Sequence, residues 1–520
     1  MTEARPARGI LLGLAGAGLF VAALDAYLVV TLLPAMLTDV GLTIERFEQA
    51  TPIVTGFLCG YVIAMPLLGA YSDVRGRAPV YALCVVVFAA GSVVTATAGS
   101  LPWLVAGRVL QGLGGGGLVP LTLALAADLY QDRARTLALG AVSGLQEAGS
   151  VLGPIYGATL ASAASAVGGW RLVFWLNVPL AAICAAGLLV ASHDTGTRTA
   201  PVHGKASRFD NRAGGLDRTL DWKSAGLLGL GLGLLVVALY PDDPAHRATS
   251  GLFVPLGILS LLVLAMYGWR QLHALEPLIP RHLLRSPRFA GVAAANLLIG
   301  AALMVALLDV PILGRLVFSL DQLAAGLLLT QFLIGVPVGA ILGGFLAARI
   351  GTRLAAALGT LLAAAAFVQM STWQATELAM RVGPFRSADI ALAACGLGFG
   401  IVIAPLAATV LQLTRAQHHG LASSLVVLAR VMGMLIGLSA LTAFGLFRFR
   451  QILGTPQLTE PDLRARLEHL DRLVGAAFLQ EYREIFTIAA GLCILAAVVI
   501  FATIKGESFR PSRSPSAQRL

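Results

Sequence analysis

The sequence predicts an all-α polytopic membrane protein built from two related helical halves with a pair of helices inserted between them. Three observations lead there. The 520 residues are 57% hydrophobic and 12% charged, with a mean hydropathy of +0.82, a balance outside the range of soluble domains. The apolar residues fall in about fourteen continuous runs, each long enough to cross roughly 30 Å of hydrocarbon at roughly 1.5 Å rise per residue; transmembrane barrels alternate instead. A glycine-spaced turn also occurs twice, as Gly69 to Arg77 and as Gly344 to Arg353, each after a glycine-rich span and before a basic residue. Such a repeat points to two related halves.

The spans run approximately over 9–37, 51–71, 79–99, 101–127, 136–162, 170–192, 224–241, 251–269, 289–314, 323–347, 353–372, 389–413, 418–447 and 482–504. The first resembles a signal peptide only at first sight: it is too long, contains Asp25 and leads into a second span, so it is expected to be retained. Lys and Arg set the orientation. Arg75 and Arg77, Arg133 and Arg135, Arg281, Arg285 and Arg288, and Lys505 with the tail arginines all fall on one side, whereas the 1–2 loop carries Asp39, Glu45 and Glu48 against Arg46. Both termini are therefore expected on the cytoplasmic side of the cell membrane. The net charge of +10 is accounted for by these loops, not by nucleic-acid binding. The five cysteines lie inside apolar spans and read as small packing residues.

The resulting organisation is an N-terminal six-helix bundle (1–192), a mixed-charge cytoplasmic linker (193–223), two inserted helices with their cytoplasmic connection (224–288), and a C-terminal six-helix bundle (289–509) with a long outer segment at 448–481. A Ser/Pro/Arg-rich tail (510–520) follows. Within 461–481, Leu463, Leu467, Leu470, Val474, Ala477 and Phe478 recur at helical spacing. Two readings stay open: a helix continuing beyond the outer face, or an amphipathic helix lying on it. The 373–388 connection contains a Gly383-Pro384 turn signal.

Charges inside the spans are the candidate chemistry, because a charge in hydrocarbon is costly and ordinarily marks a site. Glu147 enters the fifth span by roughly 16 Å and Arg430 enters the thirteenth from the same side by roughly 18 Å, so the two form a candidate pair. A charged Glu147 would hold Arg430 and a protonated one would release it; the bland alternative is a static salt bridge. Arg108, roughly 10 Å in from the outer end of the fourth span, matches Asp25 of the first, against the alternative of a snorkelling arginine. Asp309, just before Pro311, is either a second proton site or a residue of the outer mouth. In the 2–3 turn, Gly76 permits unusual backbone geometry, and Asp73 can face a helix N-terminus or an arginine in a breakable contact; otherwise the turn is a simple positive-inside anchor. The His418-His419 pair lacks an acidic residue at usable spacing for catalysis, and Gly114–Gly117 lacks the Lys-Ser/Thr of a phosphate loop.

Taken together, Gly69, Asp73, Gly76 and Arg77 in the 2–3 turn, Arg108-Val-Leu-Gln111-Gly112 in the fourth span, Gly149, Gly153, Pro154 and Gly157 in the fifth, and Leu24-Asp25 through Pro34 in the first resemble the major facilitator superfamily, in its fourteen-span drug:proton antiporter branch. The resemblance covers the whole chain. Leu121–Leu129, Gln146–Gly157, Ala429–Gly437 and Glu484–Ile488 look closer still to mycobacterial exporters of triacylglycerol-like lipids and drugs that work with a periplasmic lipoprotein. The resemblance implies two bundles around a central cavity, alternating access and carboxylate-based proton coupling, with Asp25, Arg108, Glu147, Asp309 and Arg430 on the five helices that approach the cavity. The chain departs from the pattern at Val74 and Ala78, and Ala348 stands where the second turn would carry its aspartate.

The function expected is export of amphiphilic or lipidic molecules coupled to inward proton flow, with no cofactor. A general multidrug:proton antiporter for small cationic drugs is the alternative, and a membrane acyltransferase or a non-transporting receptor is less favoured. The implied partners are the lipid bilayer, the lipid substrate, protons and a periplasmic lipoprotein, with no nucleic acid.

Overall fold

The computed structural model describes residues 4–40, 51–163, 169–194, 221–239, 249–274, 277–453 and 463–504. Most of the 193–223 linker, part of the 448–481 segment and all of the 510–520 tail lie outside the described residues. The first half comprises α1 (Ala4–Asp39), α2 (Thr51–Arg75), α3 (Arg77–Thr97), α4 (Leu101–Leu129), α5 (Asp132–Ala163) and α6 (Trp170–Asp194). Then come α7 (Trp222–Leu239), α8 (Phe253–His273) and the short α9 (Arg281–Leu284). The second half comprises α10 (Pro287–Leu316), the short α11 (Gln322–Leu328), α12 (Thr330–Ile350), α13 (Thr352–Met370), α14 (Ser387–Leu413), α15 (His419–Leu453) and α16 (Leu463–Thr503).

Among the described residues, 12 helices are long and apolar enough to cross a membrane. Helices α5 and α7, which correspond to two of the expected fourteen spans, fall outside these 12. Gln146, Glu147 and Ser150 dilute the apolar middle of α5, and α7 is short. One departure from an all-α chain is a small antiparallel ribbon, Arg381–Val382 against Phe385–Arg386, which turns at Gly383 and Pro384.

The two halves are built alike. In the first half α1 packs on α5, α2 on α4, α3 on α4, and α3 on α6. In the second, α10 packs on α15, α12 on α14, α13 on α14, and α13 on α16. The contacts between halves repeat too: α2 lies on α15 and α5 on α12. The repeated turns share one backbone shape, with φ 94° and ψ 156° at Gly76 and φ 87° and ψ 159° at Gly351. A side chain at either φ would crowd the following carbonyl, which explains the glycines. The inserted pair stays peripheral: α7 packs on α2, on α15 and on α8.

Close helix approach depends on missing side chains. On α5, Gly149, Gly153 and Gly157 bring the backbone against α1, where an added Cβ would sit 2.6 Å from the Phe20 carbonyl oxygen, 2.5 Å from that of Leu24 and 3.0 Å from that of Leu28. Small residues serve this purpose in membranes because dispersion contacts replace the hydrophobic effect between helices. Pro154 leaves the α5 ladder short of one donor, and the Thr31 hydroxyl of α1 donates to the Pro154 carbonyl at 3.2 Å.

Of the two readings for residues 461–481, the described part follows the first. From Leu463 it belongs to α16, one unbroken helix of 41 residues, about 60 Å long against roughly 30 Å of hydrocarbon. The helix that carries the last span thus begins at Leu463, ahead of the expected span start at 482. Where α16 passes α15, Phe449 stacks on Phe478 at 4.2 Å between centroids, and the Arg448 guanidinium forks onto Glu484 at 2.6 Å on both oxygens.

Replacing Gly153 with alanine is expected to force α1 from α5 and destabilise the first half by about 1–3 kcal/mol, read as a fall in melting temperature of the detergent-solubilised protein. Gly226→Ala on α7, where nothing lies within 4 Å of an added Cβ, is the matched control and should leave it unchanged.

Candidate functional site

The charged residues of the spans assemble in three places. The first lies wholly inside the first half. Asp25 on α1 and Arg108 on α4 are 0% and 1% exposed, with Arg108 Nη1 2.7 Å from Asp25 Oδ2. Burying either charge alone would be prohibitive, and the surroundings show how the pair is sustained. Gln111 Nε2 donates to Asp25 at 3.1 Å, Asn177 Nδ2 of α6 donates to Asp25 Oδ1 at 2.6 Å, and Arg108 Nη1 donates to Gln111 Oε1 at 3.0 Å. Gln111 is itself fixed by Ser92 Oγ at 2.9 Å and Thr95 Oγ1 at 3.1 Å. The Phe57 ring lies 4.4 Å from the Arg108 guanidinium carbon. Arg108 therefore turns inward rather than snorkelling, and α4 and α6 both donate to the one carboxylate on α1.

The other two of these sites involve the second half, and the larger runs along α15. At its N-terminus, Asp73 of α2 accepts from the Gly420 and Leu421 backbone N–H groups, both at 2.9 Å. These are first-turn donors with no intrahelical partner, so a carboxylate there gains both hydrogen bonds and the favourable end of the helix dipole. Arg77 is 2.6 Å from Asp73 and 3.1 Å from Asp128 at the end of α4, and donates to the Ala416 carbonyl at 3.3 Å. His419 Nδ1 meets the other Asp128 oxygen at 2.8 Å. The glycines permit this: the backbones meet at Gly69 and Gly420. Ten positions along α15, roughly 15 Å at helical rise, Arg430 Nη2 meets Glu147 Oε1 of α5 at 3.2 Å, with side chains 10% and 16% exposed. Tyr27 and Tyr61 lie within electrostatic reach of both.

On the side of the α2–α3 turn the halves are thus closed. Asp73 and Arg77 fasten α2 and α3 to α15, while Gly140 of α5 meets Gly344 of α12 backbone to backbone. The second repeat contributes no counterpart latch. Ala348 occupies the aspartate position, and Arg349 and Arg353 lie over the rings of Phe345 and Phe501 instead.

Asp309 stands apart from the other four charges. It lies on α10 within electrostatic reach of Glu481 on α16. Glu481 is 7% exposed, its Oε1 packs against Gly445, and its Oε2 has no hydrogen-bond partner among the described residues. Of the five span charges, the structure brings together two pairs and leaves Asp309 to a carboxylate that sequence reasoning did not single out. Asn177, Ser92, Asp128 and the His419 contact were missed as well. Asn177 is the nearest to a legible signal, as an amide amid the apolar run of α6. Among the described residues, no group of His, Cys, Asp and Glu is arranged to hold a metal ion.

The profile of the Major Facilitator Superfamily matches residues 15–438. A protein of Mycolicibacterium hassiacum named triacylglyceride transporter is 39% identical over 95% of this chain and 92% of its own length. One of the same name from Mycobacterium tuberculosis is 38% identical over 95% of this chain and 94% of its own. Among solved structures, the human organic anion transporter MFSD10 superposes with a TM-score of 0.61 at 18% identity, covering 95% of this chain and 99% of its own. The proton:xylose symporter XylE superposes with 0.60 at 13% identity, covering 96% and 97%; these two bear on the fold alone.

Two outcomes follow from the geometry. Arg108→Ala leaves Asp25 buried without its cation and is expected to cost about 3–5 kcal/mol, seen as loss of monodisperse protein on size exclusion. The double change Asp25→Asn with Arg108→Gln should recover most of that loss. Asp73→Ala removes two charge-assisted hydrogen bonds, together about 3 kcal/mol or more. Distances between spin labels on α2 and α15 should then broaden toward a separated population, and an unchanged distribution would show that the latch holds nothing.

Proposed function

Because the chain belongs to the Major Facilitator Superfamily and is a multi-pass membrane transporter, we propose that it exports triacylglyceride-like or other amphiphilic molecules from the cytoplasmic membrane by alternating access, in exchange for protons. The lipid class rests on the relatives named triacylglyceride transporters at 38–39% identity along nearly the whole chain. The observation that carries the mechanism is the Glu147–Arg430 contact, a titratable tie between the halves at 3.2 Å.

In this reading the α2–α3 turn faces the cytoplasm with both termini, and the state described is closed on that side. A proton arriving from outside neutralises Glu147 and removes its hold on Arg430. The tie between α5 and α15 then weakens, and the latch at Asp73 opens more readily. Once the cavity faces the cytoplasm, the proton leaves and lipid enters. The ionised Glu147 is drawn back to Arg430, which favours the outward state and expels the lipid. A coupling of about 1–3 kcal/mol, the usual size of such linkages, is sufficient. Asp25 is the second proton-coupling residue in this scheme, since its protonation would leave Arg108 unbalanced among Gln111 and Asn177. Asp309, beside Glu481, is a third carboxylate on the outer side. The overhanging ends of α15 and α16, joined by Arg448 and Glu484, are where a periplasmic lipoprotein would receive the lipid.

The test is transport in proteoliposomes with an imposed proton gradient, offering a fluorescent triacylglyceride and an ethidium-like dye together. Glu147→Gln and Asp25→Asn are each expected to reduce gradient-driven lipid movement by at least about tenfold, equivalent to about 1.4 kcal/mol. Full uphill transport by both variants would refute proton coupling. Movement of dye without lipid would favour the general multidrug antiporter instead.

A further inference from the structure

We propose that the cleft at the base of the inserted helix pair holds an anionic glycerophospholipid, with an acyl chain between α7 and α8 and the phosphate at Lys223. The pair touches at its middle and parts toward one end. Gly231 of α7 packs on Leu264 of α8, and the Ser260 hydroxyl donates to the Gly231 carbonyl at 2.8 Å. Toward Lys223 the two helices line a cleft of about 480 Å³, with Leu227, Leu230 and Met266 as its apolar walls, within the volume range of ordinary ligand sites. Gly226 also lines it, and nothing lies within 4 Å of an added Cβ there.

The mouth is held open and charged. Arg270 of α8 reaches across to Asp221 with two nitrogens, at 2.9 and 3.2 Å, and Ser224 adds a 2.6 Å hydrogen bond to the same carboxylate. Slight burial pushes the Asp221 carboxyl up, but the hydrogen bonds from Arg270 and Ser224 outweigh it and bring it to about 2. Asp221 is therefore ionised at any ordinary pH, and the tie would be lost only as the pH falls below its usual carboxylate range toward that value. Arg270 is thus neutralised, and among the described lining residues the cation left over is Lys223. Lys223 is exposed with no ion-pair or hydrogen-bond partner among the described residues. Arg281 donates to the Leu272 and Ala274 carbonyls at 2.7 and 3.0 Å, at the end of α8. Trp269 at the rim is 65% exposed, an amphipathic ring of the kind found at headgroup level.

Charge complementarity selects the occupant. A triacylglyceride would leave Lys223 without a counter-charge, and a zwitterionic headgroup brings its own cation. An anionic phospholipid fills the apolar walls and answers the positive mouth. The inference does not depend on the transported substrate, since the cleft lies outside the two six-helix bundles.

Native mass spectrometry of the full-length protein, presented with equal phosphatidylglycerol and phosphatidylcholine, tests it. The wild type is expected to retain phosphatidylglycerol with about fivefold preference, the contribution of one lysine near an anionic headgroup. Gly226→Leu fills the opening without a clash and should remove the retained lipid. Lys223→Gln should keep a bound lipid but lose the preference. Equal retention of both lipids by the wild type, or the same retention in both variants, would overturn the assignment.

Discussion

The closed state depends on the N-terminal stretch of α15. A helix start exposes backbone donors that nothing within the helix can satisfy, and Asp73 supplies both acceptors from the other half. Arg77, Asp128 and His419 then surround that carboxylate and orient it. Because α15 is one continuous helix, whatever moves its first turn also moves Arg430 roughly 15 Å along. The latch and the contact with Glu147 therefore lie on one continuous helix.

The Asp25 network has a different character. Its charges face neither solvent nor the other half, and every strong donor around the carboxylate comes from the first six helices. Such a site joins helices of a single bundle. The resemblance implied five charged residues on helices that approach a cavity. On those helices the bundle interior takes one pair, the interface takes another, and Asp309 lies beside Glu481. One charge pair thus joins helices within a bundle, and the other joins the two bundles.

Much of this was legible in the sequence, for physical reasons. Continuous apolar runs marked the helices, and insertion depth alone matched Glu147 to Arg430 and Asp25 to Arg108, because a charge in hydrocarbon needs a partner at its own depth. What escaped has equally definite causes. Asn177 lies 152 positions from Asp25, and a single amide in an apolar helix carries no periodic signal. His419 was weighed only as a catalytic candidate, whereas its partner Asp128 closes the fourth helix, 291 positions away. Glu481 was assigned to an outer segment, so its depth was never compared with that of Asp309. The helical spacing of Leu463, Leu467 and Leu470 made a helix legible there, but spacing alone does not tell a continuing helix from a separate amphipathic one.

The two glycine turns invite a last comparison. Gly76 and Gly351 bend the chain almost identically, yet only the first turn carries an aspartate, and Ala348 fills the place in the second. Bending and fastening are thus separable properties of one motif: both copies bend the chain, and only the first carries the catch. The two turns lie on the same closed side, where Gly344 meets Gly140 of α5. That side is therefore fastened asymmetrically: one half brings a charged catch, and the other brings only close backbone packing.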